Sequence, residues 1–156
     1  MFKLILMKTG LLFFVLITTT HFGFTQVQKP VTWAYSAKKI NSTTYEVHLT
    51  ANISANWHLY SQTNPEGGPV PTKITFAQNP LITIPGATKE VGKLQQKNEP
   101  LFGVDVKQFS GKVDFVQIIK LKTPVKTNVT GEIEFMVCDD KQCLPPATQK
   151  FSTALK

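Results

Sequence analysis

Residues 45–53 alternate strictly between apolar side chains at the odd positions and polar side chains at the even positions. A period of two is the pattern of a β-strand that buries one face. Further strands are predicted at 31–35, 57–60, 113–121 and 129–138, with a last short one around Phe151. Turn residues such as Asn, Pro and Gly separate these runs, and no useful stretch has the 3.6-residue apolar period of a helix. The chain is therefore predicted to be all-β and to form an antiparallel β-sandwich.

Residues 89–105 are the least regular part of the chain after the N-terminus. We predict a long loop there. Long loops on a rigid β scaffold often carry functional residues.

The N-terminus has the pattern of a secretory signal peptide. Lys3 and Lys8 precede an apolar run at 11–17, and small polar residues follow it. The run is shorter than the roughly 20 residues that a spanning helix needs. We predict a signal peptide at 1–25 and a single exported, periplasmic domain at 26–156 that does not span a membrane.

The charge of the chain is basic, with 17 Lys and Arg residues against 10 Asp and Glu residues. All the basic residues are lysines, and they are scattered along the sequence, which is typical of a solvated surface. Arginine, the usual residue for bidentate contacts to phosphate and guanine, is absent. Nucleic acid is therefore not an expected partner.

Cys138 and Cys143 are the only cysteines, and Leu144 and two prolines follow them directly. Continuing the alternation of 129–138 places Cys138 on the less apolar face of its strand, where a partner could reach it. Three interpretations are open: an exchangeable disulfide, a structural disulfide and a metal-binding pair. Closing so short a loop contributes only about 2 kcal/mol by chain entropy, and short accessible disulfides tend to be exchangeable. The sequence therefore favours redox chemistry carried by the cysteines themselves, with no dissociable cofactor.

The metal interpretation would combine the cysteines with Met136 and His58 as a soft-ligand copper site. A separation of four residues is not a zinc-knuckle spacing. We therefore assign no metal in the favoured interpretation.

Two acidic residues, Asp139 and Asp140, follow Cys138 directly. Their negative charge disfavours a thiolate at that cysteine, and Lys141 offsets part of the effect. This setting suits a carrier that is attacked by the more reactive thiolate of a partner.

The cysteine segment resembles the N-terminal periplasmic domain of the membrane thiol–disulfide reductase DsbD. The resemblance rests on 135–138, the acidic connector and 143–146. Residues 57–60 are similar to an aromatic strand of that domain, and residues 99–103 are similar to the cap loop that covers its cysteines.

The resemblance implies an immunoglobulin-like antiparallel β-sandwich that carries a redox-active cysteine pair. Electrons would come from a membrane thiol reductase by way of a thioredoxin-like protein. They would pass to periplasmic clients such as a disulfide isomerase or a cytochrome c maturation factor. Relatives continue into a membrane domain and a thioredoxin-like domain, so we expect this chain to act with separate partners.

The resemblance also implies roles for individual residues. Cys143 would form the mixed disulfide with a partner, and Cys138 would resolve it. Shielding of the pair would fall to Leu101 and Phe102, whereas His58 and Tyr60 would line the site and Glu99 would lie at its edge.

Plainer interpretations remain open for these residues and for the chain. Leu101 and Phe102 would then anchor a loop, and His58 and Tyr60 would lie on the outer face of a strand. The alternative functions are an immunoglobulin-like binding or adaptor module with a structural disulfide, and a copper chaperone.

Overall fold

A computed structural model describes residues 28–156, so the predicted signal peptide lies outside the described residues. The regular secondary structure of this part of the chain consists of twelve β-strands. The strands are β1 (Val31–Lys39), β2 (Thr44–Ile53), β3 (His58–Tyr60), β4 (Lys73–Phe76), β5 (Ile82–Thr83), β6 (Lys89–Gly92), β7 (Gln95–Glu99), β8 (Val104–Phe109), β9 (Lys112–Leu121), β10 (Thr127–Phe135), β11 (Val137–Cys138) and β12 (Ala147–Leu155). Among these residues, no helix is long and apolar enough to cross a membrane.

The largest sheet is built around β2 and β9, which pair antiparallel from Thr44↔Lys120 to Asn52↔Lys112. β1 pairs with the other edge of β2, while β5 and β6 pair with successive parts of β9. The odd-numbered residues of β2, which the alternation predicted to be apolar and inward-facing, are buried: Tyr45, Val47, Leu49, Ala51 and Ile53. The alternation therefore set which face of this sheet meets the core.

A second sheet, in the order β12-β10-β4, faces the first across a shared core. Aromatic contacts join the two layers: the ring centroids of Trp33 and Phe135 are 5.3 Å apart, and those of Tyr35 and Phe151 are 5.8 Å apart. Two antiparallel sheets that bury their inner faces against each other form a β-sandwich. The prediction of an all-β, immunoglobulin-like antiparallel β-sandwich is confirmed.

A third, smaller sheet in the order β11-β3-β8-β7 carries the two cysteines at one edge. The chain enters it at Met136, between the end of β10 in the second sheet and the start of β11. The predicted strand at 129–138 is thus divided between two sheets: Val137 still packs in the main core, whereas Cys138 belongs to a separate cluster.

The prediction of a long loop at 89–105 is wrong. This stretch contains β6, β7 and the beginning of β8, and β7 and β8 form a hairpin paired from Gln95↔Gln108 to Glu99↔Val104. The first four residues of β7 are exposed polar side chains because β7 is an edge strand of the small sheet. A strand that is exposed on both faces has no apolar alternation by which the sequence could reveal it.

Candidate functional site

Cys138 and Cys143 form a disulfide, with their Cα atoms 4.0 Å apart. Cys138 ends β11, and Cys143 lies beside it through an isolated antiparallel bridge. On the next residue pair the amide of Leu144 donates to the carbonyl of Val137 at 2.9 Å. The cysteines are therefore held by a short backbone ladder as well as by the covalent bond.

The turn between the cysteines is organised by Asp139. Its Oδ1 accepts hydrogen bonds from the amides of Lys141 and Gln142, both at 2.8 Å, and its own amide donates to the carbonyl of Gln142 at 2.9 Å. The two amide donors favour the carboxylate and hold the pKa of Asp139 below its usual range. A negative charge thus persists next to Cys138 at neutral pH.

The two cysteines differ in exposure. Cys138 is completely buried, whereas Cys143 is only partly buried. The expectation that a partner could reach Cys138 directly is wrong, because side chains from β8 and from the turn before it cover the face on which Cys138 lies. Cys138 shares a cluster with the buried Tyr60 and Val106. Packed against that cluster are Phe102, Val104, Met136 and Cys143.

The covering element, which we call the cap turn, comprises residues 100–103 between β7 and β8. The amides of Phe102 and Gly103 donate to the carbonyl of Glu99 at 3.1 and 2.8 Å and close the turn. Gly103 has a φ of 69°, a conformation that residues with a Cβ seldom adopt. Phe102 packs against the cysteine cluster, whereas Leu101 is not among the residues packed there and is 50% exposed. Of the two residues predicted to shield the pair, Phe102 is the one that contacts the cluster.

A buried polar network lies next to the disulfide and joins His58, Tyr60 and Glu99. The hydroxyl of Tyr60 donates to Oε2 of Glu99 at 2.6 Å, and Nε2 of His58 lies 3.0 Å from that carboxylate oxygen and 3.0 Å from the Tyr60 hydroxyl. All three side chains are buried. The structure therefore brings these three predicted residues together in the interior, and His58 and Tyr60 do not lie on an outer face.

Burial raises the pKa of Tyr60 far above its ordinary value, and the hydrogen bond to Glu99 and the charge of Glu99 raise it further. The phenol therefore remains a neutral donor at any physiological pH. It helps to satisfy a carboxylate whose burial without partners would be costly.

The network connects the cap turn to the strand beside the disulfide. In the register of β3 and β11, His58 lies directly opposite Cys138. Residues opposite each other in an antiparallel pair project their side chains from the same face of the sheet. Glu99, at the end of β7, binds β3 through its carboxylate and the cap turn through its carbonyl.

Sequence reasoning missed three residues that form the wall of this site. Val104 lies in the region predicted to be a loop and Val106 directly after it, although their spacing of two is the signal that β8 offers. Met136 was predicted to share a face with Cys138 and was weighed as a metal ligand, but not as part of the wall. Its sulfur accepts a hydrogen bond from the amide of Val70 at 3.4 Å, and its side chain packs against the cysteine cluster. Within residues 28–156, no group of three or more His, Cys, Asp or Glu side chains is arranged to hold a metal ion.

Comparison with known proteins gives this geometry a context. The family model described as thiol:disulfide interchange protein DsbD, N-terminal, matches residues 25–155. No curated protein sequence matches the chain.

Two solved structures are similar at low sequence identity. The N-terminal periplasmic domain of ScsB from Proteus mirabilis is 17% identical, with a TM-score of 0.48, over 80% of this chain and 44% of that one. The N-terminal domain of Neisseria meningitidis DsbD in the reduced form is 12% identical, with a TM-score of 0.43, over 77% of this chain and 82% of that one. The chain thus spans less than half of the ScsB chain that it matches.

Proposed function

This chain belongs to the family of the N-terminal domain of the thiol:disulfide interchange protein DsbD, and from that membership we propose that it is a periplasmic thiol–disulfide exchange protein. Its cysteine pair would carry two electrons from a thioredoxin-like donor, itself supplied by a membrane thiol reductase, to disulfides of client proteins. The observation that carries the proposal is the asymmetry of the pair. Cys143 is partly exposed and follows a polar turn, whereas Cys138 is buried in an apolar cluster.

The difference in exposure supports the following order of attack. A thiolate of the reduced donor attacks Sγ of Cys143, forms a mixed disulfide and releases Cys138 as the leaving thiolate, which takes up a proton. The second thiol of the donor then attacks the donor sulfur that is bonded to Cys143. Cys143 leaves as a thiolate and is protonated. The donor is oxidised to its disulfide, and this chain gains two electrons and two protons.

Delivery to a client follows the same path in reverse. The Cys143 thiolate attacks the client disulfide, and Cys138 then attacks Cys143 to release the reduced client. The client class that fits the family is a periplasmic disulfide isomerase or a cytochrome c maturation factor. This activity is that of a protein-disulfide reductase, and it needs no cofactor other than the cysteines.

The cap turn regulates access in this proposal. Phe102 packs against the cluster that contains Cys138, and in this proposal a docking partner displaces the cap turn as its sulfur approaches Cys143 in line with the disulfide. The Glu99 network resists that displacement, since its carboxylate bonds to His58 and Tyr60 would be strained or lost. The reduced pair would thus be protected from adventitious oxidants until a specific partner docks.

Equilibrating the protein with glutathione buffers and, for potentials below about −300 mV, with dithiothreitol buffers tests the proposal when the free thiols are quantified by alkylation. A relay disulfide should have a reduction potential above about −300 mV, within reach of thioredoxin-like proteins. A disulfide that stays oxidised at potentials well below that value would contradict the proposal.

A second candidate is a binding or adaptor module in which the disulfide is structural. The complete burial of Cys138 favours it, because a buried sulfur is protected from exchange. The same titration separates the two functions, since a structural disulfide is expected below about −300 mV.

A further inference from the structure

Three loops and the last residue of the chain meet at one end of the sandwich. The amide of Leu121 donates to the carbonyl of Thr43 at 2.7 Å, and the amide of Lys122 donates to the carbonyl of Leu81 at 2.9 Å. The hydroxyl of Tyr45 donates to the carbonyl of Lys156 at 2.6 Å. The segments 39–43, 77–81 and 120–126, together with Lys156, therefore form one surface, which we call the basic end.

The segments of the basic end contain four lysines besides Lys156 and no acidic side chain. Lys39, Lys120, Lys122 and Lys126 are all exposed there. None of the ten Asp and Glu residues of the chain falls within the segments of this end. Within the described part of the chain the ion pairs of lysine involve Lys38, Lys97 and Lys150, not these four. The scatter of the lysines along the sequence conceals this grouping, which the strand topology creates.

Aliphatic side chains project from the same loops. Ile40, Leu81 and Val125 are 49%, 40% and 39% exposed, although each is large and apolar. Ile40 and Val125 each adjoin an exposed lysine in the sequence, and Leu81 lies beside Lys122 through a hydrogen bond between their backbones. Exposed apolar groups surrounded by uncompensated positive charge indicate a surface that is covered by something anionic and partly apolar.

We propose that the basic end docks onto the surface of an anionic phospholipid bilayer. Ammonium groups of lysine bind headgroup phosphates, while the aliphatic side chains enter the shallow interfacial layer. Protein–protein interfaces are instead enriched in aromatic residues and arginine. This chain has no arginine, and its large exposed side chains at the basic end are aliphatic.

The docked orientation would leave the disulfide free. β2 begins at Thr44 at the basic end and runs for ten residues to Ile53, a length of about 30 Å at the rise of a β-strand. Beyond Ile53 the chain turns into β3, where His58 pairs with Cys138. The two features lie at opposite ends of the molecule, so the bilayer would hold the cysteine pair outward. This proposal goes beyond the exchange function and does not depend on it.

Cosedimentation with vesicles tests the proposal, with phosphatidylcholine alone compared with phosphatidylcholine containing phosphatidylglycerol. The full chain is compared with K122E/K126E, with I40S/L81S/V125S and with the control K97E/K141E, which makes the same charge change at the disulfide end. All variants keep the same N-terminal segment, so only differences between them are interpreted. A urea melt confirms that each variant is folded.

The expected result is binding that requires phosphatidylglycerol, weakens with added salt and falls at least about tenfold in K122E/K126E. The triple aliphatic variant should also bind more weakly, and K97E/K141E should bind within about twofold of the unaltered chain. The proposal is overturned if K97E/K141E loses as much binding as K122E/K126E, because net charge alone would then explain the effect. It is also overturned if none of the variants differs from the unaltered chain.

Discussion

Tyr60 donates its phenolic proton to Glu99 across 2.6 Å, in a buried network that ties the cap turn to the strand opposite Cys138. The bond links an element that covers the disulfide with an element that supports it. The network therefore holds the cap turn closed over the cysteine cluster. The strength of its hydrogen bonds should determine how often the cap turn opens.

Glu99→Gln should weaken the hydrogen bonds of the network without removing the side chain. The amide keeps one acceptor but loses the charge that makes its hydrogen bonds strong, a loss worth about 1.5–3 kcal/mol for bonds to a charged group. We expect the free energy of unfolding in urea to fall by up to that amount. The rate of disulfide reduction by dithiothreitol should rise up to about tenfold as the cap turn opens more often.

Glu66→Gln is the matched control for that variant, since Glu66 is exposed and outside the network. Its stability and reduction rate should match those of the unaltered protein. Equal reduction rates in the two variants would show that Glu99 does not hold the cap turn closed.

A comparison of Phe102→Ala with Leu101→Ala should show which of the two side chains of the cap turn shields the disulfide from reduction. Phe102 packs against the cysteine cluster, whereas Leu101 is half exposed. We expect Phe102→Ala to accelerate reduction by dithiothreitol about fivefold or more, and Leu101→Ala to change it by less than about twofold. The reverse order would mean that Leu101 is the shielding residue.

The raised pKa of Tyr60 predicts a loss of stability in alkali. Below about pH 10, the tyrosine is protonated in both the folded and the unfolded chain, and it adds no pH dependence. Above that pH the unfolded chain releases this proton while the folded chain keeps it, so the unfolded state binds fewer protons and the free energy of unfolding falls.

The measurement is a pair of urea melts, for the unaltered protein and for Tyr60→Phe, between pH 8 and 11. The difference in stability between them should be constant up to about pH 10 and then shrink by up to about 1.4 kcal/mol per pH unit. A difference that stays constant to pH 11 would contradict the burial and bonding assigned to Tyr60.

Asp139→Asn should change the acidity of the reduced pair. The asparagine retains the Oδ1 acceptor of the turn but removes the charge next to Cys138. The pKa of the Cys138 thiol should therefore fall. The absorbance of the thiolate near 240 nm during a pH titration measures this pKa. Asp140→Asn provides a comparison, because Asp140 is highly exposed and solvent screens its charge.

Sequence patterns were sufficient to predict the β-sandwich. They were insufficient to predict the strands and the cap turn that cover the cysteines. The alternation of 45–53 identified β2 because one of its faces is buried and the other is wet. β7 shows no such contrast, since its side chains up to Asn98 are exposed on both faces. The strand predicted at 57–60 is confirmed as β3, which also lacks this contrast because His58, Leu59 and Tyr60 are all buried. When both faces of a strand are exposed, or both are buried, apolar and polar residues do not alternate along its sequence.

The burial of Cys138 illustrates the same limit. Alternation placed it correctly on the face of Met136, but the polarity of that face was inferred from Glu134 on the preceding strand. The chain changes sheet at Met136, and the new sheet brings β8 and the cap turn over the cysteine. Contacts between elements distant in sequence decide such exposure, and local periodicity does not encode them.

The most direct test of the exchange proposal is to trap the mixed disulfide with a reduced thioredoxin-like protein whose second active-site cysteine is replaced by serine. Cys138→Ser and Cys143→Ser are each first activated as a mixed disulfide with thionitrobenzoate, mixed with the partner and analysed by non-reducing mass spectrometry. We predict that Cys138→Ser yields a stable complex linked through Cys143, because neither this chain nor the partner then keeps a thiol that can resolve it. Cys143→Ser should yield little complex, because its remaining cysteine is buried. A complex that forms equally well through either cysteine would contradict the assigned order of attack, and failure of both variants to form one would contradict the exchange function itself.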